Sequence, residues 1–300
     1  MNNNKPSILI GLIGSGIGKS LTPPMHEHEG DKQGMRYLYR IIDLDQLKLG
    51  VSDLSDLLLA AERMGFTGLN ITHPCKQAVV EYLDELSDVA AKVGAVNTVV
   101  FSGGRRFGHN TDALGFFESF QEEIANTCPH ENILLLGAGG AGTAVAHALL
   151  SGTSCNLEIF DINEARARVV VDHIAKVYGP GRAAVSKSVI DSLARADGLI
   201  NATPIGMRHT PGCPLDPALL RPDLWVTDIV YVPMETELIA AATKVGCKVM
   251  RGGGMAVYQA VRAFEIFTGI RPDADRMKAH FKTLLQAPVP AARTSTEMIG

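Results

Sequence analysis

Lys76 closes the stretch GLNITHPCK (68–76), directly after a run of apolar, small and ring-locked residues with Pro74 just upstream. An exposed helix lysine needs no such setting, whereas an amine that manages a proton does. A second chemical signal lies further on. GAGGAG (137–142) satisfies G-x-G-x-x-G through Gly137, Gly139 and Gly142, with Ala138, Gly140 and Ala141 between them. It follows the apolar run ILLL and opens an apolar helix, the context this dinucleotide motif requires. The glycines permit a tight turn and let a pyrophosphate approach the helix N-terminus. Asp161 ends the next strand, where an acidic residue suits the ribose diol of NAD and repels the 2′-phosphate of NADP. Two features compete with that reading. Asp161 or Asn163 can cap the following helix, and Arg166 or Arg168 can reach a 2′-phosphate.

The elements that must position these residues follow from periodicity. SILIGLI (7–13) reads as a first strand, and residues 52–64 as a helix opened by a Ser/Asp cap. GFTGLNIT reads as a strand, and Lys76 begins KQAVVEYLDEL, whose Val79, Val80 and Leu83 have helical spacing. GAVNTVVF (94–101) is strand-like, GGRR is a hairpin turn, and Arg105–Arg106 fall on a solvated face. Beyond residue 113, strands are expected in ENILLL, LEIFD (157–161), ADGLINAT (196–203), LWVTDIVY (224–231) and CKVM (247–250). Helices alternate with them, at 163–177 and 235–245 among others, which predicts a parallel doubly wound sheet. The fold class is therefore α/β with two domains. Residues 1–112 form a substrate domain completed by helices from about 255–285, residues 113–254 a Rossmann-type dinucleotide-binding domain, and 286–300 a mobile tail.

The chain has 300 residues, 46% hydrophobic and 20% charged, with a net charge of −4. That balance gives no electrostatic case for nucleic acid or acidic membranes. Five cysteines (Cys75, Cys128, Cys155, Cys213, Cys247) are scattered without C-x-x-C spacing, which argues against disulfides and structural zinc and for a reducing compartment. HEHE (26–29) does not place its groups on one helical face, so no metal is expected. The N-terminal apolar run is broken by Gly11 and Gly14 and precedes no cleavage pattern, so it reads as a strand. The expected location is the cytoplasm. The expected partner is a small-molecule substrate, with no nucleic acid or membrane and a homodimer left open.

Four small polar clusters precede the nucleotide fold: KSLTPPMH (19–26), GLNITHPCK (68–76), GAVNT (94–98) and GHNTDALG (108–115). With GAGGA they make the chain resemble the shikimate/quinate dehydrogenase family over nearly its whole length. Ser-x-Ser/Thr-Pro, N-[VI]-T-x-P-x-K, GA-x-NT, NTD and GAGGA all occur in order. The resemblance implies that Ser20 and Thr22 hold a substrate carboxylate and that Thr72, Asn97 and Asp112 contact ring hydroxyls. It implies that Lys76 and Asp112 form the catalytic pair, and that Gln259 of MAVYQAV returns to the substrate. Asn201, Thr203, Pro204, the Val230–Tyr231 strand end and Gly252 are expected along the cofactor. Asn70 is expected to shape and line the pocket with Thr72.

The implied reaction is reversible oxidation of one ring hydroxyl of quinate or shikimate by NAD. Departures from the common pattern are FDIN (160–163) where many members have Asn-Arg-Thr, Thr22 for a second serine, Ala113 for glycine, and RGGGM (251–255) for Asp-Gly-x-x-Met. The first two resemble the NAD-dependent quinate/shikimate branch. Two alternatives stay open: a dehydrogenase of another hydroxylated or aminated ring acid, and a non-catalytic NAD sensor. A lysine in water titrates near ~10.4; burial lowers that value and a neighbouring carboxylate raises it. Which member of the pair takes the proton is open at this level.

Overall fold

The structure is a computed structural model and describes residues 5–286. It contains two six-stranded sheets. Strands β1 (Ser7–Gly14), β2 (Arg36–Asp43), β3 (Gly68–Ile71), β4 (Glu85–Leu86), β5 (Thr98–Ser102) and β6 (Arg105–His109) form the first, in the order β2-β1-β3-β5-β6-β4. Its helices are α1 (Thr22–Lys32), α2 (Leu44–Leu47), α3 (Leu54–Arg63) and α4 (Asp88–Val93). β1 pairs in parallel with β2 and β3, while β5 runs antiparallel to β3 and β6. Gly103 and Gly104, at φ +59° and +74°, make the two-residue hairpin turn between β5 and β6.

Helix α5 (Thr111–Phe120) carries the chain to the second sheet. That sheet contains β7 (Asn132–Leu136), β8 (Asn156–Phe160), β9 (Ala183–Val185), β10 (Gly198–Asn201), β11 (Trp225–Asp228) and β12 (Lys248–Arg251). All pairings are parallel, in the order β12-β11-β10-β7-β8-β9, which reverses at β7. A doubly wound sheet places its ligand crevice at that reversal, outside the carboxyl ends of the strands. The accompanying helices are α6 (Gly140–Gly152), α7 (Glu164–Tyr178), α8 (Val189–Arg195) and α9 (Glu237–Val245). Helix α10 (Gly253–Thr268) returns to the first sheet, and α11 (Ala274–Gln286) follows it. α5 and α10 lie so close that a Cβ on Gly115 would collide with the backbone nitrogen of Gln259. The buried carboxylate of Glu29 on α1 takes Arg276 Nε at 2.7 Å and Asp273 N at 3.0 Å, fixing α1 to α11.

Several expectations are corrected. Lys76 does not begin an α-helix; a short 3-10 segment, Ala78–Tyr82, follows its turn, with adjacent β-branched valines and no side-chain cap. The strand expected over 94–101 starts at Thr98, because Gly94 (φ +68°) closes α4 in the left-handed region. β10 stops at Asn201, whose Oδ1 accepts from Thr203 N (3.0 Å), and β11 stops at Asp228, whose Oδ1 accepts from Val230 N (3.0 Å). Arg106 is bound to Glu62 (3.0 Å) and is not a free solvated charge. Gln286 ends α11, and the remainder of the expected tail lies outside the described residues. All five cysteines are free thiols, and no described helix is long and apolar enough to cross a membrane.

Candidate active site

The nucleotide side is built by the turn between β7 and α6. Gly137 sits at φ +97°, and a Cβ there would lie 2.7 Å from Ala202 O. A Cβ on Gly142 would collide with Gly137 O, so that glycine lets α6 pack onto the turn. At Gly139 and Gly140 a Cβ would meet nothing within 4 Å, and no side chain caps α6. Together with Ala138 and Ala141 these residues form an open cradle edged by unfilled helix N–H donors. The Asp161 carboxylate borders it: Oδ2 accepts from Ala138 N and Oδ1 from Asn163 N, both at 2.8 Å. Arg168 is paired with Glu164 at 2.5 Å, and Arg166 is exposed on the first turn of α7.

On the far side of β7, Asn201 is wholly buried and its amide is used internally. Nδ2 donates to Ile205 O and to Asp228 Oδ1, both at 3.0 Å, and Oδ1 takes the Thr203 hydroxyl at 2.7 Å. Asn201 therefore shapes the Thr203–Pro204 loop and has no side-chain acceptor to spare for a ligand. Val230 is buried at the end of β11, and the space for a Cβ on Gly252 is closed by the carbonyls of Ile229 and Val230. Burial pushes the Tyr231 phenol pKa up, and the negative charge of Asp112 adds to the rise. Tyr231 is expected along the cofactor; the Asp112 charge acting on its phenol is not legible in the sequence.

The substrate side gathers at the carboxyl ends of β1 and β3. Ser20 and Thr22 stand at the start of α1, where Ser20 Oγ accepts from Thr22 N at 3.3 Å. Pro23 and Pro24 follow and have no N–H, so an anion at this helix end meets hydroxyls in place of amide donors. A Cβ on Gly14 would collide with Thr72 Cγ2, so the glycine admits that side chain beside β1. Lys76 Nζ lies 2.7 Å from Asp112 Oδ2, with 25% and 13% of the two side chains exposed. Backbone bonds hold the lysine, Val96 N donating to Lys76 O at 2.8 Å. Asp112 stands in the first turn of α5, which Asn110 caps by accepting from Ala113 N at 3.0 Å.

Asn97 is 3% exposed. Its Oδ1 accepts from Thr111 N at 2.7 Å, and its Nδ2 donates to Thr111 Oγ1 at 2.9 Å. It secures the start of α5 and has at most one N–H left for a ligand. Asn70, expected to line the pocket, is buried with its donors spent on Thr98 Oγ1 and Asn97 O. Gln259 is half-buried on α10, bonded only to Ala256 O at 3.2 Å. The neighbouring Tyr258 phenol is taken up by Glu122 (2.8 Å) and Lys278 (2.9 Å). His26 of the HEHE stretch is buried beside Tyr37, and desolvation lowers its pKa to about 3. No cluster of three metal-binding side chains occurs among the described residues.

Comparison with known proteins matches this layout. Residues 12–99 match the shikimate dehydrogenase substrate binding domain model, and residues 252–280 match the shikimate 5′-dehydrogenase C-terminal domain model. The shikimate dehydrogenase (NADP(+)) of Streptomyces avermitilis is 49% identical over 280 residues, 93% of this chain and 96% of that protein. The quinate/shikimate dehydrogenase (NAD(+)) of Corynebacterium glutamicum is 46% identical over 283 residues, 93% of this chain and 99% of that protein. The solved quinate dehydrogenase from Corynebacterium glutamicum in complex with NAD superposes with a TM-score of 0.89 at 44% identity, covering 93% of this chain and 100% of that one. The chain belongs to the shikimate/quinate dehydrogenase family.

Proposed function

We propose that the protein is an NAD-dependent quinate/shikimate dehydrogenase, oxidising one ring hydroxyl of either acid to the 3-dehydro ketone and catalysing the reverse. The observation that carries this reading is the Lys76–Asp112 pair, 2.7 Å apart and largely buried. Relatives named for NAD(+) and for NADP(+) stand at similar identity, so the choice of cofactor rests on the residues. The cradle at Gly139–Gly140 fits a pyrophosphate, and Asp161 fits a ribose diol and opposes a second phosphate. Of the two rival arginines, Arg168 is engaged by Glu164.

When bound, NAD accepts the hydride from the carbinol carbon. The protein's own task is the proton. The substrate hydroxyl donates into the Lys76–Asp112 pair as the carbon loses hydride, and the pair returns that proton in reduction. The two groups act as a unit, since a proton delivered to either is shared across their hydrogen bond. Ser20 and Thr22 hold the carboxylate, while Thr72, Asn97 and Gln259 meet ring hydroxyls; a site of this kind rejects analogues lacking a hydroxyl.

The same proposal assigns residues 1–112 with 255–285 to the substrate domain and 113–254 to the cofactor domain, supported by the two sheets. A cytoplasmic location is supported by the five free thiols. Retention of the proton pair speaks against a non-catalytic sensor. Steady-state turnover of quinate and shikimate, each with NAD and with NADP, tests the reading. Turnover of at least one acid with NAD preferred is expected. No turnover of either acid, or faster turnover with NADP, contradicts it.

A further inference from the structure

Tyr39 lies on β2, with β1 between it and the strand that leads to Lys76, yet it heads a chain of buried hydrogen bonds that ends under Asp112. Its hydroxyl donates to Asn70 Oδ1 at 2.5 Å. Asn70 Nδ2 donates in turn to Thr98 Oγ1 at 2.9 Å and to Asn97 O at 3.1 Å. Thr98 Oγ1 donates to Asn97 Oδ1 at 3.0 Å, and that same oxygen accepts the Thr111 N–H at 2.7 Å. Thr111 is the first residue of α5, and the next is Asp112. Asn70, Asn97, Thr98 and Thr111 are each at most 4% exposed, so water cannot replace a lost partner.

From Tyr39 to Asn97 the donations run one way, and Thr111 donates into the same Asn97 oxygen from the other side. Burial holds the Tyr39 phenol pKa well above its usual value, so the group stays protonated and donates. Donation fixes which end of the Asn70 amide faces Tyr39, and that aims both Nδ2 hydrogens at Thr98 and Asn97. Tyr39 is itself held from α1: its N–H donates to Glu27 Oε1 at 2.9 Å, and the His26 ring meets it edge-on at 5.2 Å. Lys76 follows β3, the strand that carries Asn70, and Asp112 stands in the first turn of α5, which Asn97 holds through Thr111 N.

We infer that Tyr39 is a positioning residue for the proton pair, setting the separation of Lys76 and Asp112 through Asn70, Asn97 and Thr111. The inference rests on the reading that this pair manages the substrate proton. Without the phenol hydroxyl, Asn70 Oδ1 is left buried without its donor. The amide is then free to turn, and the first turn of α5 loses its fixed relation to Lys76.

The test is steady-state kinetics on four full-length variants: Tyr39→Phe, Tyr37→Phe, Asp112→Asn and the Tyr39→Phe/Asp112→Asn double variant. Tyr37 is the control, a buried phenol on the same strand that bonds His26 Nδ1 at 2.9 Å and does not join the chain. Tyr39→Phe is expected to lower kcat about tenfold with the KM for NAD unchanged, and to cost less than about twofold more in the Asp112→Asn background, since groups acting as a unit are not additive. Tyr37→Phe is expected to keep kcat within about twofold of the wild type, as a change away from the reacting unit should. A wild-type kcat in Tyr39→Phe, equal losses in both phenylalanine variants, or an equal fold-loss in both Asp112 backgrounds overturns the role of Tyr39 alone. Near-wild-type turnover in Asp112→Asn by itself overturns the proton-pair reading and the inference with it.

Discussion

Lys76 and Asp112 stand 36 positions apart in sequence and 2.7 Å apart in the fold. Each arrives on a different element, the lysine on a turn below β3 and the aspartate on the first turn of α5. Neither element alone gives a reason for the other residue's charge. The pair exists because Asn97 ties the start of α5 to the β3–β5 region, with Thr111 N bound to its Oδ1. A half-buried ion pair held this way has little freedom to separate, which suits proton exchange with a hydroxyl brought against it.

The Asp161 carboxylate borders the glycine cradle, accepting from Ala138 N at 2.8 Å, and the proposed reading has it oppose a 2′-phosphate. Asp161→Ala is expected to lower the NAD-over-NADP ratio of kcat/KM on the order of 10- to 100-fold, since like charges brought together cost several kcal/mol. Parallel kinetics with both cofactors measures the ratio, and an unchanged ratio would remove Asp161 from cofactor choice.

Gly142 admits α6 onto the β7 turn because a Cβ would collide with Gly137 O. Gly142→Ala is expected to destabilise the fold by about 1–3 kcal/mol through overpacking. It should also shrink the rise in Tm that NAD produces, because the helix N-terminus moves away from the pyrophosphate position. Melting curves with and without NAD decide this; an unaltered NAD-induced shift counts against the cradle.

Thr22 offers a hydroxyl at a helix end whose prolines donate nothing. Thr22→Val keeps the shape and removes the hydroxyl, and should raise the KM for the acid about tenfold, the loss of one hydrogen bond to a charged group. kcat should change less, because the carboxylate is bound alike in ground and transition states. A variant that loses kcat at constant KM argues against carboxylate binding here.

Glu29 is buried, which raises its pKa, but hydrogen bonds from Arg276, Gln33 and Asp273 N outweigh that and hold it below the usual carboxylate value. A lowered folded pKa contributes stability that is present above the unfolded value, near ~4.3, and is lost as pH falls through the folded one. Arg276→Ala is expected to lose about 3 kcal/mol at neutral pH, the cost of stranding a buried charge. The difference from wild type should narrow in acid as Glu29 protonates. Urea unfolding across pH 7 to 3 measures it, and a pH-independent difference would contradict the assignment.

Much of this was legible in the sequence where local chemistry sets the outcome. The GAGGAG turn, its flanking strand and helix, and the GG hairpin follow from backbone freedom at glycine and from apolar runs. Apolar runs overstate strand length where a polar side chain turns the chain, as Asn201 and Asp228 do. The 3-10 segment after Lys76 was missed because Val79, Val80 and Leu83 fit helical spacing, which says nothing about length or caps. α1, β2 and α5 carry decisive contacts through Glu27, Tyr39 and Thr111, but such bonds join residues that only tertiary packing brings together. Asn70 and Asn97 have the composition of ligand-binding residues; only the structure assigns most of their capacity to the scaffold.

The most direct test of the account is the turnover of Lys76→Ala with quinate or shikimate and NAD, beside the affinity of the variant for the same acid. The account expects kcat to fall on the order of 10²- to 10⁴-fold, the usual weight of a positioned proton-transfer group, with acid binding kept within about threefold. Near-wild-type turnover would contradict it.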